Sequence, residues 1–319
     1  MEDSRQVKLE GLPKLSATEI ISKSFDIYLK NFAGFIAPFI VVSLISGAIT
    51  GLLAYYSNIS YYHPTPPIIL SPDIALFMLL SIGAFFITLF LNLIASGIIV
   101  KMSSDAYLNQ PVDLKKSYSL AASMLGTLFI ASLLFSLLVF IGTILLVIPG
   151  IIFALWFSTY LQQVILEKST AASSISQSKE LVDGHLGHTF ITLLLIVIVI
   201  GVLSGIVSLI IDTAILGISL TLAHNLPLTI LVTIIRSVAA SIFWPLWGIG
   251  LTILYYDIKN RKNLLKTVED FTDKPSGRPP FKAAVQQARS EKAVRPHCLS
   301  RVEKGVFCSN CGAYIGDEV

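Results

Sequence analysis

Three cysteines lie near the end of the chain: Cys298, Cys308 and Cys311, the last pair in C-x-x-C spacing, with His297 just before the first. Thiolates at that spacing can converge on one ion, and Zn²⁺ takes four S or N ligands tetrahedrally in structural sites. An odd, clustered set in a segment read as cytosolic points to metal rather than disulfides. The expected ligands of a structural zinc are Cys298, Cys308, Cys311 and His297. Arg295 stands where the first cysteine of a paired knuckle would be, so His297 completes the set only with altered geometry. The other reading is a tail that has lost its metal.

Catalytic chemistry has a weaker claim. The histidines His63, His185, His188, His224 and His297 are scattered, and no H-E-x-x-H, G-x-S-x-G or Walker A pattern occurs. No enzyme is expected. His185 and His188 stand near Glu180 and Asp183, a grouping that fits the end of an amphipathic helix better than a metal or proton site. Arg236 lies within an apolar run and Asp212 at the edge of another. Placing such a group unpaired in a membrane costs about 2.5–3.5 kcal/mol, so either Arg236 pairs with Asp212 at the outer edge or it snorkels to the interface. Asn92, Ser96, Gln162 and Gln163 are the residues that would line a transport path.

These residues need elements to position them, and the composition says which. The 319-residue chain is 54% hydrophobic and 13% charged, half the charge of an ordinary soluble protein at about 25%. The stretches Phe32–Tyr56 and Ile74–Val100 carry no charge and exceed the roughly 20 residues needed to cross a bilayer. Further spans are expected at Leu125–Ile148, Ile151–Leu166, Phe190–Ile211 and Leu228–Tyr256, with a tight Pro149-Gly150 turn joining the third and fourth. Gly47-x-x-x-Gly51 and Gly201-x-x-x-Gly205 permit close helix approach, and Pro245 is expected to kink the sixth span.

Amphipathic helices precede the odd-numbered spans. The first puts Ala17, Ile21, Ser24 and Tyr28 on one face; the second, Leu114, Tyr118 and Ala121; the third, Ala171, Ile175 and Val182. Lys and Arg fall before span one, after spans two and four, and throughout the tail, while the three intervening loops carry none. The positive-inside rule then places both termini in the cytoplasm of a plasma-membrane protein. The N-terminus lacks the apolar core and cleavage site of a signal peptide.

The expected fold is an all-α membrane protein with six transmembrane helices, three amphipathic lead-in helices and a small C-terminal module. Its parts are a cytosolic tail and amphipathic helix (1–31), a six-span domain (32–257), a flexible basic linker (258–294) and the cysteine-bearing tail (295–319). A short helix is expected over Asn263–Asp273. The segments KSFDIYLKNFAGF, KSYSLAASMLGTL and QSKELVDGHLGHT align on Ser24, Ser117 and Ser178, so the membrane part reads as three copies of one unit.

Two resemblances follow from these residues. The tail from Arg295 to Gly312 resembles a short zinc ribbon. The run VIPGIIFALWFSTYLQQVILEKSTAASSISQSKELVDGHLGHTF resembles the signature of a six-span membrane domain found fused to some glycerophosphodiester phosphodiesterases and, more often, alone in membrane proteins of unknown function. Its matching elements are Pro149-Gly150, Glu167, Ser178 and Tyr255-Tyr256-Asp257, over roughly residues 16–262. The enzymatic barrel of the fused proteins needs about 250 residues, which this chain does not hold, so the resemblance implies no activity. Isoleucine richness with such a tail suggests an archaeal-like member.

The expected function is non-enzymatic: envelope or lipid organisation, or a membrane scaffold whose tail docks a cytosolic protein. The expected partners are membrane lipids and that protein, with no nucleic acid. The alternative is a small-molecule or lipid transporter. A polar cavity through the bundle would favour transport, and a dry interior with a lateral groove would favour lipid handling.

Overall fold

The computed structural model describes residues 13–62, 72–215 and 225–273. The chain divides into two compact units, Met1–Asn263 and Leu264–Val319, and the contacts below all lie within the first. The described residues form helices α1 (Ala17–Lys30), α2 (Phe32–Tyr62), α3 (Pro72–Tyr107), α4 (Leu114–Ser123), α5 (Leu125–Leu145) and α6 (Val147–Trp156). They continue as α7 (Tyr160–Glu167), α8 (Ala171–Val182), α9 (Leu186–Ile215), α10 (Leu226–Ser241) and α11 (Trp244–Asp273). Six stretches are long and apolar enough to cross a membrane: α2, α3, α5, α6 with α7, α9, and α10 with α11. The described residues form helices joined by turns and short loops only, and the chain is an integral membrane protein of the multi-pass type. Helix α11 includes the Asn263–Asp273 segment expected to be helical.

The three lead-in helices are α1, α4 and α8, and each opens on a side-chain cap. Ser16 and Glu19 form a reciprocal capping box, Asp113 accepts from the backbones of Lys115 and Lys116, and Thr170 accepts from Ser173. Such caps occupy N–H groups that a helix start leaves unpaired. Ser24, Ser117 and Ser178 are all buried. Each stands eight residues before the next span begins (32 − 24, 125 − 117, 186 − 178). Ser24 and Ser117 donate back to Ile20 and Asp113 of their own helical turns, while Ser178 donates across to the Trp156 carbonyl at 2.9 Å.

The packing runs round the bundle. Helix α4 lies on α3, and α8 on α5, α6 and α7. Helix α1 lies on α9, with Ser24 under Gly250 of α11. Each lead-in helix thus rests on the spans of the unit before it, and α1 closes the circuit on the last. At the basic edge the centre is α11, where residues 249–258 are buried without interruption. Apart from Thr252 and Asp257 this stretch is apolar or aromatic on every side, as a helix inside a bundle must be.

Lipid is as apolar as leucine, so spans associate through close packing and polar contacts. Gly47 and Gly51 provide both. A Cβ on Gly51 would lie 2.3 Å from Thr233 Oγ1 and 2.8 Å from Ile230 Cα, and Thr233 donates to the Gly47 carbonyl at 2.9 Å. Gly201 and Gly205 do not: among the described residues nothing lies within 4 Å of where their Cβ atoms would be. That expectation is corrected, because α9 turns these glycines outward.

The turn after α5 is also displaced. The break falls at extended Leu146 (φ −170°, ψ 152°), and Pro149 sits in the first turn of α6, where its missing N–H has no helical partner to lose. Gly150 brings the arms of the hairpin together, since its Cβ would lie 2.9 Å from Thr143 Cα. The fourth span is itself broken between Trp156 and Tyr160, and the sixth between Ser241 and Trp244, just before Pro245. Tyr28 closes the second break by donating its hydroxyl to the Ile242 carbonyl at 2.5 Å.

Candidate functional site

Two features stand out, a polar belt at one edge of the bundle and an apolar groove opening beside it. The belt begins with Asp257, whose side chain is fully enclosed. Leu15 donates its backbone N–H to Oδ1 at 2.8 Å, and Arg261 Nε donates to Oδ2 at 2.7 Å. His188 Nε2 lies 3.0 Å from Oδ2; because the carboxylate only accepts, that nitrogen carries the proton. Arg261 also donates to the Leu15 carbonyl at 2.7 Å. One carboxylate therefore ties together the segment before α1, the start of α9 and α11.

The neighbouring residues work in the same way. Tyr255 and Lys259 both donate to Glu167 Oε1 at 2.5 Å, joining α11 to the end of α7. The Tyr256 hydroxyl lies 2.7 Å from Ser104 Oγ, and its ring stacks on Tyr107 at 5.5 Å. Lys23 of α1 lies 4.9 Å above the Tyr107 ring. Lys262 donates to the Glu180 carbonyl at the end of α8. These contacts show that the chain returns to one edge after each pair of spans. Glu167, Ser178, Tyr255, Tyr256 and Asp257 thus share a role as joints between helices.

The belt's acids are occupied, so its chemistry is to hold charge in place. Among the described residues, no group of three or more His, Cys, Asp or Glu could hold a metal ion. His185 and Asp183 do not join His188 on Asp257. The expected zinc ligands His297, Cys298, Cys308 and Cys311 lie outside the described residues.

Arg236 and Asp212 do meet, with Nε 2.9 Å from Oδ1, although both side chains remain about half exposed. Of the four residues of the transport reading, Asn92 and Ser96 stand one turn apart on α3, and Gln162 and Gln163 are buried on α7, which packs against α3. Asn92 is exposed and donates to the Thr88 carbonyl of its own helix at 2.8 Å. Gln162 is fully buried, and among the described residues neither of its amide atoms has a hydrogen-bond partner.

The groove lies between α2 and α3 with α4 across one end. Its volume is about 560 Å³, within the range of roughly 300–1,000 Å³ typical of small-molecule sites. Pro38 and Val42 form one wall, Ile94 and Ile98 the other, and Leu114, Lys115 and Tyr118 the rim. None of Asn92, Ser96, Gln162 and Gln163 lines it. Leu114 and Tyr118, read from sequence as part of an inward stripe with Ala121, are 39% and 54% exposed. The inward face of α4 is instead Ser117 and Ala121. The stripe could not reveal this, since its period is the same whether a residue meets a wall or an opening.

The groove's extent follows from helix rise. Its lining runs from Ala37 to Val42 on α2 and from Leu91 to Ile98 on α3, which at 1.5 Å per residue is about 8–11 Å of helix.

In comparison with known proteins, the chain matches no family model, no curated protein and no solved structure.

Proposed function

We propose that this integral membrane protein organises lipid, holding a lipid chain in the lateral groove while the polar belt keeps the bundle rigid around it. The observation that carries the reading is the groove itself: apolar along its walls, open at the side and rimmed by Lys115. The belt is assigned to the cytoplasmic surface, because the Lys- and Arg-bearing segments converge there. An occupied carboxylate belt and an apolar groove suit retention of a lipid better than passage of a polar solute.

The test is the lipid that remains with purified protein. Wild-type protein taken through detergent is expected to retain about one lipid per chain, and Ala37→Trp, which fills the groove, is expected to lose it. Equal lipid in the two proteins, with the variant still folded, would overturn the reading.

A further inference from the structure

We infer that the groove selects an anionic lipid, whose phosphate is met by Lys115 and whose chain lies between α2 and α3. This rests on the lipid-holding reading and names the headgroup chemistry. The three lead-in helices supply the comparison. Aligned on Ser24, Ser117 and Ser178, Leu114 and Tyr118 of α4 correspond to Ile21 and Phe25 of α1 and to Ile175 and Lys179 of α8.

Under α1 the matching cleft, walled by Ile21, Phe25 and Ile196, has a volume of about 10 Å³, room for about one water. Beside α8, Ile175 is buried and the Lys179 ammonium lies 4.7 Å from the Trp156 ring. Under α4 the cleft widens to about 560 Å³. The sequence changes at the same place: Lys115 stands where α1 has Ser22 and α8 has Ser176. The open cleft is the one with a cation in place of a small hydroxyl at that rim position.

That cation is available. Lys116 Nζ lies 3.6 Å from Asp113 Oδ2, whereas the exposed Lys115 ammonium has no ion pair among the described residues. Tyr118, half exposed, lines the same rim. A phosphate at the interface would meet both, with the apolar walls running inward beneath it. A zwitterionic headgroup brings its own cation beside the phosphate and so attracts Lys115 less than an anionic one.

The experiment reconstitutes the full chain in mixed micelles of phosphatidylglycerol and phosphatidylcholine with identical acyl chains, then measures the ratio of the two lipids retained. Wild-type protein is expected to favour phosphatidylglycerol about fivefold, the ratio given by about 1 kcal/mol for a basic residue at the surface. Lys115→Gln should abolish the preference while lipid is still bound, and Lys116→Gln should leave it intact. Retention without preference, or equal loss in both lysine variants, would overturn the headgroup assignment and leave the lipid-holding reading standing. No retained lipid in wild type would overturn both. Circular dichroism and elution volume establish that each variant remains folded.

Discussion

Asp257 shows how far a single residue reaches in this protein. Its carboxylate accepts from Leu15, His188 and Arg261 within a fully enclosed site. Removing one partner of a buried ion pair strands the other charge, at a cost of about 3–5 kcal/mol. Asp257→Ala is therefore expected to lower the thermal unfolding midpoint sharply and to expose the segment before α1 to protease. Asp257→Asn keeps the side-chain volume and one acceptor oxygen but sets an amide N–H₂ against a donor at the other position, so it too should lower the midpoint. An unchanged midpoint in the alanine variant would remove Asp257 from the joints.

Tyr28 yields a pH prediction at the same scale. Burial pushes its hydroxyl up to about 12, above the ordinary value of 10. Between pH 10 and 12 the unfolded chain has released that proton and the folded chain has kept it, so stability falls as pH rises through this window. Tyr28→Phe should lessen the fall, measured as unfolding temperature against pH. At neutral pH it should cost about 0.5–1.5 kcal/mol, the worth of its bond to Ile242. The sequence marked Tyr28 as an inward residue of an amphipathic helix. It could not show the partner, which stands 214 positions away.

At the scale of elements, helix starts and apolar lengths were legible because they depend on neighbours in sequence. Apolar runs, five of them charge-free and the sixth carrying only Arg236, located the six spans, and the lead-in helices announced themselves by their apolar stripes. Joints were less legible. Pro149 and Gly150 announced a hairpin, but the break falls at Leu146 because proline is accommodated in a first helical turn. The paired glycines look alike in sequence and behave differently in the bundle. Gly51→Ala should destabilise the protein by about 1–3 kcal/mol by forcing α2 from α10, while Gly205→Ala, with open space around it, should be near neutral. Equal effects on thermal unfolding would contradict the packing described for α2 and α10.

Across the whole molecule, the three lead-in helices and the span pairs that follow them form a closed circuit at one edge, with α11 at its centre. The repeat was visible in sequence as three aligned serines, and the structure gives each a buried position. The groove was not visible, because an opening depends on which of three similar clefts fails to fill. The tail adds a separate expectation: purified protein should carry about one zinc per chain, lost in a Cys308→Ser, Cys311→Ser double variant. Metal-free wild-type protein would remove zinc from the tail.

The lipid in the groove is the claim on which the functional reading turns, and a density map of the full chain in a phosphatidylglycerol-containing nanodisc tests it directly. A chain-like density between Pro38 and Ile94, ending in a headgroup beside Lys115, is the expected result. Continuous mobile solvent or bulk lipid there, or α4 closed down upon α2 and α3, would contradict it.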